Sequence, residues 1–307
     1  MLKAGFVGTV PDAILDAVSL HGEFELTGVF DPGRVSPAPS NTYENPVPLL
    51  TAGNLFKYND VLIIQKTGAD VMEIIIEGIR NSKHILLMDT GGLSRSSATK
   101  LLKLQRESQT VVRVRHPARN NPAVQVCKPL ITHPSLTEIK LMTPGKKNEE
   151  NREPVRSNIL KMLDALLFLC PHNIQKINSL RHFSGMMSSG LVNARIEFDN
   201  GSVASVLSSE ITEKEIFSIF IYQDNMMIEL DLIRPGLRCI EKNGDGVALT
   251  YEKEYKNTTE DICHNELTHF YNSIINDSDR EKDIFETSRL LELSQRIMEK
   301  TFSPEIA

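Results

Sequence analysis

Six consecutive residues carry the chemistry this chain announces first. Gly8, Thr9, Val10, Pro11, Asp12 and Ala13 follow an apolar strand pattern and open a helical one, and a second strand then ends at Asp31. Strand, tight turn, helix, strand and acid, Lys3 to Pro32, is the opening of a dinucleotide-binding unit, whose turn asks for Gly-x-Gly-x-x-Gly/Ala. Gly8 supplies the first glycine, and Ala13 is small enough for helix and strand to pack. The middle glycine, which lets the backbone approach a pyrophosphate, is replaced by Val10, whose side chain obstructs it. Pro11 suits the first helical turn sterically but removes one of its N–H donors. Asp12 brings negative charge to the place where an anion should bind. Asp31 is positioned to take a ribose hydroxyl. Gly8, Val10, Asp12 and Asp31 are therefore the candidate cofactor-binding positions, and the cofactor expected is NAD or NADP, bound weakly or not at all. Asp31 leans to NAD. The plainer alternative is that this strand-helix-strand unit is only a scaffold.

A second polar cluster, Asp89-Thr90-Gly91-Gly92, follows the apolar run HILLM. Ligands bind at such C-terminal strand ends in open parallel sheets, although the same residues also read as a simple turn. His264 and His269, in CHNELTH, superficially suggest a zinc helix. They stand five apart, about 140° round a helix, so one metal ion is not expected there. His84, His116 and His172 read as structural. His182 and Arg181 follow a strand pattern and are candidates for the border of a substrate cleft. No nucleophile elbow, phosphate-binding loop or paired-carboxylate signature appears.

The elements that must position these residues come in two textures. Up to about residue 117, strands and amphipathic helices alternate: VLIIQ (Val61 to Gln65), a helix over Ala69 to Ser82, HILLM (His84 to Met88), a helix over Ser94 to Ser108, and TVVRVRH (Thr110 to His116). That alternation implies a Rossmann-type parallel sheet with helices on both faces. The stretch Pro32 to Pro48 holds five prolines and is not expected to form a regular helix. Beyond Pro117 the pattern is strand-rich. Leu191 to Ile211 reads as a hairpin about Asn200-Gly201, with Val192, Ala194, Ile196 and Phe198 on one face. Phe217 to Ile233 repeats the pattern about Asp224-Asn225, and LRCIEK and VALTYEKEY continue it. Two helices close the chain, one with an apolar stripe of Leu267, Phe270, Tyr271, Ile274 and Ile275, the other with Ile284, Leu291, Ile297 and Met298. The expected architecture is thus α/β, residues 1–117 forming a dinucleotide-binding domain and 118–307 an α+β substrate and dimerisation domain with a large, mainly antiparallel sheet. The closing helices are candidates to pack back on the first domain.

Composition sets limits on partners. A net charge of −6 and the lack of a Lys/Arg-rich block argue against nucleic acid. No apolar run reaches the length of a membrane span, and the N-terminus enters a strand without a signal-peptide pattern. The four cysteines, Cys127, Cys170, Cys239 and Cys263, are widely spaced among apolar neighbours and read as reduced, buried thiols of a cytoplasmic protein.

The order of elements resembles the glucose-fructose oxidoreductase, inositol dehydrogenase and MocA-like family over nearly the whole chain. SKHILLMDTGGLS resembles the family strand that carries a Glu-Lys-Pro motif. RHPARNNPAV, Arg115 to Val124, resembles the crossing into the second domain, ARIEFDNGSVASVLSS the first hairpin of its sheet, and NELTHFYNSI with DIFETSRLLELSQRIMEK its closing helices. The resemblance implies hydride transfer between a nicotinamide cofactor and a sugar-like hydroxyl or carbonyl. It also implies a substrate-orienting lysine in Glu-Lys-Pro and an acid/base histidine in an Asp-x-x-x-His motif on the first helix of the second domain. Here Met88, Asp89 and Thr90 stand at Glu-Lys-Pro, Ser157 at the motif aspartate and Lys161 at the histidine. Asp164 matches an acid that often follows.

The usual catalytic residue types are therefore replaced. Lys161 and Asp89 remain as candidate catalytic residues, with Thr90, Ser157, Asp164 and His182 as candidate cleft residues. To act as a base near neutrality Lys161 must fall by about 3 pKa units from its free value, which a neighbouring Asp89 would oppose; an ion pair between them is the expectation. The resulting functional expectation is a ligand-binding or regulatory relative of sugar and polyol dehydrogenases, taking a small-molecule ligand and forming a homodimer through its C-terminal sheet. The alternatives are an active oxidoreductase on a small sugar-like or hydroxy-acid substrate through Lys161, and a structural partner subunit.

Overall fold

A computed structural model describes residues 1–8, 12–31, 50–65, 69–90, 92–144, 153–182, 191–210, 212–256, 259–276 and 282–302. The chain divides into two compact units, one of Met1–Pro117 with Thr258–Leu291, the other of Ala118–Asn257 with Glu292–Ala307.

In the first unit the apolar runs form five parallel strands: β1 (Leu2–Val7), β2 (Phe24–Phe30), β3 (Val61–Ile64), β4 (His84–Leu87) and β5 (Val112–Val114), in the order β2-β1-β3-β4-β5. The helices between them are α1 (Asp12–Leu20), α2 (Ala52–Tyr58), α3 (Ala69–Arg80) and α4 (Arg95–Ser108). The four residues of β3 are all buried, as the unbroken apolar run VLII requires when both faces of a strand are covered. Helix α4 starts where it does because Ser94 accepts a hydrogen bond from the Ser97 N–H at 3.0 Å. On one face of the sheet Ala4, Phe6, Val61, Ile63 and Leu86 pack with Ile14 and Val18 of α1 and with Cys263, Leu267 and Phe270 from near the chain's end.

The second unit opens with the short helix α5 (Pro122–Cys127), capped by Asn121, and a 3-10 turn at Lys128–Leu130. Strand β6 (Pro134–Met142), helix α6 (Glu153–Leu169), and strands β7 (Ile174–His182), β8 (Leu191–Phe198), β9 (Val203–Ser209), β10 (Ile216–Gln223), β11 (Met226–Asp231), β12 (Gly236–Lys242) and β13 (Ala248–Glu254) follow. They make one eight-stranded sheet, β13-β12-β11-β10-β6-β9-β8-β7. Every neighbouring pair is antiparallel except β6 with β9. Both predicted hairpins form: β10 and β11 pair Gln223 with Met226 about Asp224-Asn225, and β8 and β9 pair Glu197 with Val203 about a connection that contains Asn200-Gly201. Gly201 has a φ of 83°, and the Asn200 side chain accepts from the Ser202 N–H at 3.1 Å, so the turn uses each of these residues for its own chemistry.

The chain closes with α7 (Thr259–Ile275), in the first unit, and α8 (Lys282–Phe302), whose residues 282–291 belong to the first unit and 292–302 to the second. The predicted stripe on α7 holds at Leu267 and Phe270, but Ile275 is 57% exposed. Two more details correct the sequence reading. Lys161 lies on the second α-helix of its unit, because α5 precedes it, and Arg181 and His182 are the last residues of β7 rather than its sequel. The predicted strands and helices otherwise appear where the periodicities place them. The proline-bearing stretch 32–49 lies outside the described residues.

Candidate functional site

The order β2-β1-β3 reverses direction at β1, which puts the topological switch point at the C-terminal ends of β1 and β3. Gly8 sits there. Its N–H donates to Phe30 O at 2.8 Å, extending the β1–β2 ladder, and its φ is 99°, a conformation glycine adopts without strain. Val10 lies outside the described residues with Thr9 and Pro11. Helix α1 begins at Asp12, so its first residue is a carboxylic acid. Asp31 directly follows β2. Asp89 and Thr90 come after β4 and are half-buried, and Thr90 O accepts from the Leu93 N–H at 2.9 Å. Gly8, Asp31, Asp89 and Thr90 thus share the C-terminal edge of one parallel sheet, where the sequence places them.

The remaining candidates belong to the second unit. Ser157, Lys161 and Asp164 stand at i, i+4 and i+7 on α6 and share a helix face. Their environments differ. Ser157 is half-buried, Lys161 is exposed, and Asp164 is only 6% exposed. Asp164 Oδ1 accepts from Arg119 Nε at 2.8 Å and Nη2 at 2.5 Å, a charge-assisted contact within the same unit. Arg119 also lies over the Phe168 ring, 5.6 Å from its centroid. Asp164 therefore has a structural employment that the sequence did not disclose. His182 ends β7, paired with Leu191. Asp89 lies in the first unit and Lys161 in the second.

Two residues of the sheet edge escaped sequence reasoning. Gln65 follows β3, donating its N–H to Val7 O at 3.1 Å, and Arg115 follows β5, donating to Leu87 O at 2.8 Å. Both are half-buried. Gln65 Oε1 and Arg115 Nε are shielded from solvent with no hydrogen-bond partner among the described residues. The available signal at Gln65 is a polar residue ending the apolar run VLIIQ, whereas Arg115 lies inside TVVRVRH, where it reads as one of the strand's alternating polar residues.

Two of the histidines read as structural, His84 and His116, have structural partners. His84 Nδ1 accepts from the Val111 N–H at 3.0 Å. His116 Nε2 lies 3.4 Å from Asp283 Oδ1, whose partner oxygen accepts from the Val114 N–H at 2.9 Å, while Glu266 Oε2 accepts from the His116 N–H at 3.3 Å. β5 is the edge of its sheet, and side chains take up the N–H groups on its open side: Gln105 Oε1 accepts from Val112 at 3.0 Å, Asp283 from Val114 and, just beyond the strand, Glu266 from His116. Arg113 Nε lies 3.5 Å from Glu266 Oε1 and 3.8 Å from Asp283 Oδ2. Burial pushes the Asp283 carboxyl up, but the hydrogen bond and charge of His116, the charge of Arg113 and the Val114 N–H outweigh it and hold the group at about 2. Among the described residues no group of three or more His, Cys, Asp or Glu side chains is arranged to hold a metal ion. No described helix is long and apolar enough to cross a membrane.

No protein-family model matches the sequence, and no curated protein matches it. Solved structures do. The UDP-N-acetylglucosamine 3-dehydrogenase GnnA from Acidithiobacillus ferrooxidans is 16% identical, with a TM-score of 0.81 over 98% of this chain and 97% of that one. A dehydrogenase from Chromobacterium violaceum is 11% identical, with a TM-score of 0.83 over 98% of this chain and 95% of that one. The chain has the fold of these dehydrogenases. Biliverdin reductase from Synechocystis, solved with biliverdin and NADP+, is 15% identical and has a TM-score of 0.74 over 98% of this chain and 99% of that one. The neighbours are of the glucose-fructose oxidoreductase, inositol dehydrogenase and MocA type, the family that the order of elements resembles.

Proposed function

We propose that this chain is a ligand-binding or regulatory relative of the NAD(P)-dependent oxidoreductases whose fold it shares, with a dinucleotide site reduced to weak binding or none. One observation carries the reading. The helix whose N-terminus would face a pyrophosphate at the switch point begins with Asp12, preceded in sequence by Pro11 and Val10. A helix start holds phosphate through free N–H groups and positive dipole charge. Proline has no N–H to donate, an acid opposes the positive charge, and valine occupies the sequence position of the glycine that admits a pyrophosphate. These residues do not fit a pyrophosphate.

The catalytic positions support the same reading. Asp89 and Lys161 stand where the family has lysine and histidine, and neither serves as an acid/base. The ligand is a small molecule held at the strand ends of the first unit, and the functional assembly is a homodimer formed through the eight-stranded sheet of the second. The competing reading is an active oxidoreductase with Lys161 as acid/base, favoured by the exposure of Lys161 on the helix face it shares with Ser157. A cofactor-coupled absorbance screen over polyols, sugars and hydroxy acids separates the two. The proposal expects no turnover with NAD(H) or NADP(H). Robust turnover by the unmodified protein, abolished by Lys161→Ala, overturns it.

A further inference from the structure

Val7 is in register with Ile64, Ile64 with Leu87, and Leu87 with Val114. The next residues continue these ladders: Gln65 N–H bonds to Val7 O, Met88 N–H to Ile64 O at 2.8 Å, and Arg115 N–H to Leu87 O. Gly8, Gln65, Met88 and Arg115 therefore form one transverse row at the C-terminal edge of the sheet, and residues in one row of a parallel sheet point to the same face. Two contacts confirm the face. A Cβ on Gly8 would lie 3.6 Å from Gln65 Cβ, and Met88 packs on the core shared with α1 and α7. On that face Arg115 Nη2 reaches Cys263 Sγ of α7 at 3.5 Å.

The row holds two unmet demands. Gln65 Oε1 is an acceptor shielded from solvent, and Arg115 Nε is a donor shielded from solvent, each without a partner among the described residues. Among the described residues the hydrogen bond from the Arg115 side chain goes to a thiol, a weak acceptor. Folded proteins rarely leave such groups unpaired, and those that remain call for an explanation. Their Cα atoms are two strand spacings apart, roughly 9 to 10 Å, with Met88 between them. An arginine fork matches the two oxygens of a carboxylate, whereas the glutamine oxygen accepts from an N–H or O–H.

We infer that the Gln65–Met88–Arg115 row is a receptor for a small hydroxy-carboxylate, its carboxylate on Arg115 and a hydroxyl donating to Gln65 Oε1. This rests on the proposed ligand-binding role and names the ligand class of that site. Gly8, at the end of the row, has a φ of 99° that disfavours a side chain, and a Cβ there would be in ordinary contact with Gln65 Cβ at 3.6 Å. The Met88 methylthio group supplies the apolar floor between the polar ends.

The test uses the unmodified protein carrying 13C-labelled methionine methyl groups, with the Met88 signal assigned through Met88→Leu. Glycerate and gluconate are titrated, with propionate as the carboxylate-only control and glycerol as the hydroxyl-only control. A saturable shift of the Met88 methyl with either acid, at concentrations about tenfold or more below those needed for either control, is the expected result. Arg115→Leu and Gln65→Leu should each weaken binding by about tenfold or more. If a variant fails to fold, the wild-type titration decides alone. Absence of a saturable Met88 shift, equal responses to the controls, or a folded Arg115→Leu protein that binds as wild type overturns the inference. Sub-micromolar binding of NAD(H) or NADP(H) sinks the weak-dinucleotide reading instead, so the two fail separately.

Discussion

Asp283 bonds the outward N–H of an edge strand, lies beside His116 and Arg113, and sits on the helix that closes the first unit. Its carboxyl is held at about 2 in the folded chain, against about 3.9 when unfolded. A depressed carboxylate stabilises the fold fully above its unfolded value and loses that contribution as pH falls through the folded one, so the window is about pH 4 down to pH 2. The contribution near neutrality is on the order of 2 kcal/mol. Asp283→Asn should therefore be less stable than wild type by about that much in urea denaturation at pH 7, and the gap should narrow at pH 3. A gap that is constant with pH would show that the carboxylate charge is not what matters. The cysteines make a second residue-scale case. All four are free and buried, and burial first, then the neighbouring Cys239 and Cys170, pushes the Cys127 thiol up to about 12. The thiolate is the reactive form, so a chromogenic thiol reagent should label none of them within minutes at pH 7.5 and all four after unfolding. Rapid labelling of the native protein would contradict this.

At the scale of elements, β1 shows how closely one strand is fitted. Its pairing with β2 shifts register between Ala4 and Gly5, and a Cβ on Gly5 would come within 2.7 Å of Asn59 Nδ2. Asn59 is buried, donates to Leu55 O at 2.8 Å and accepts from Thr27 Oγ1. Gly5→Ala must displace that side chain and its bonds, at a cost of about 2 kcal/mol; unchanged stability in urea would refute this. The elements legible in the sequence are those whose signal is local. The run VLII, the Asn200-Gly201 turn and the alternation in ARIEF each specify their own geometry. Strand β6 carries no such local signal. PSLTEIKLM begins with a proline and mixes polar with apolar residues, and it is an interior strand only through pairings with β9 and β10, far along the chain. The site divides in the same way. Gly8 and Asp12 belong to one local turn and could be read, and Asp89 and Thr90 could be read as strand-end residues. The juxtaposition of Gln65 with Arg115 exists only through the register of β3, β4 and β5, and the Arg119 partner of Asp164 only through the approach of α6 to residues 45 positions earlier. No local pattern encodes either.

For the whole molecule, assembly and ligand class are the open properties, and both can be measured. In the second unit the inward residues Ile139, Ile219, Ile221, Ile228 and Leu230 are buried. The residues alternating with them on β6, β10 and β11, among them Glu138, Lys140, Phe220, Tyr222 and Glu229, are half-exposed. They are partly matched to one another: the Tyr222 hydroxyl donates to Glu138 Oε2 at 3.4 Å, Arg238 lies 3.5 Å from Glu229, and Lys140 stands over the Phe220 ring. A face of this mixed character suits a polar-rimmed interface between copies. Light scattering at tens of micromolar should report a dimer, and Phe220→Asp should convert it to a monomer; a wild-type monomer would remove the dimer from the account. The central claim is that a dehydrogenase fold here carries a turn that no longer holds a pyrophosphate. Calorimetric titration of the purified protein with NAD(H) and NADP(H) tests it most directly. The account predicts dissociation constants in the high micromolar range or weaker, about −5 to −6 kcal/mol, with tighter binding after Val10→Gly and Asp12→Ala together. Sub-micromolar binding by the unmodified chain would contradict it.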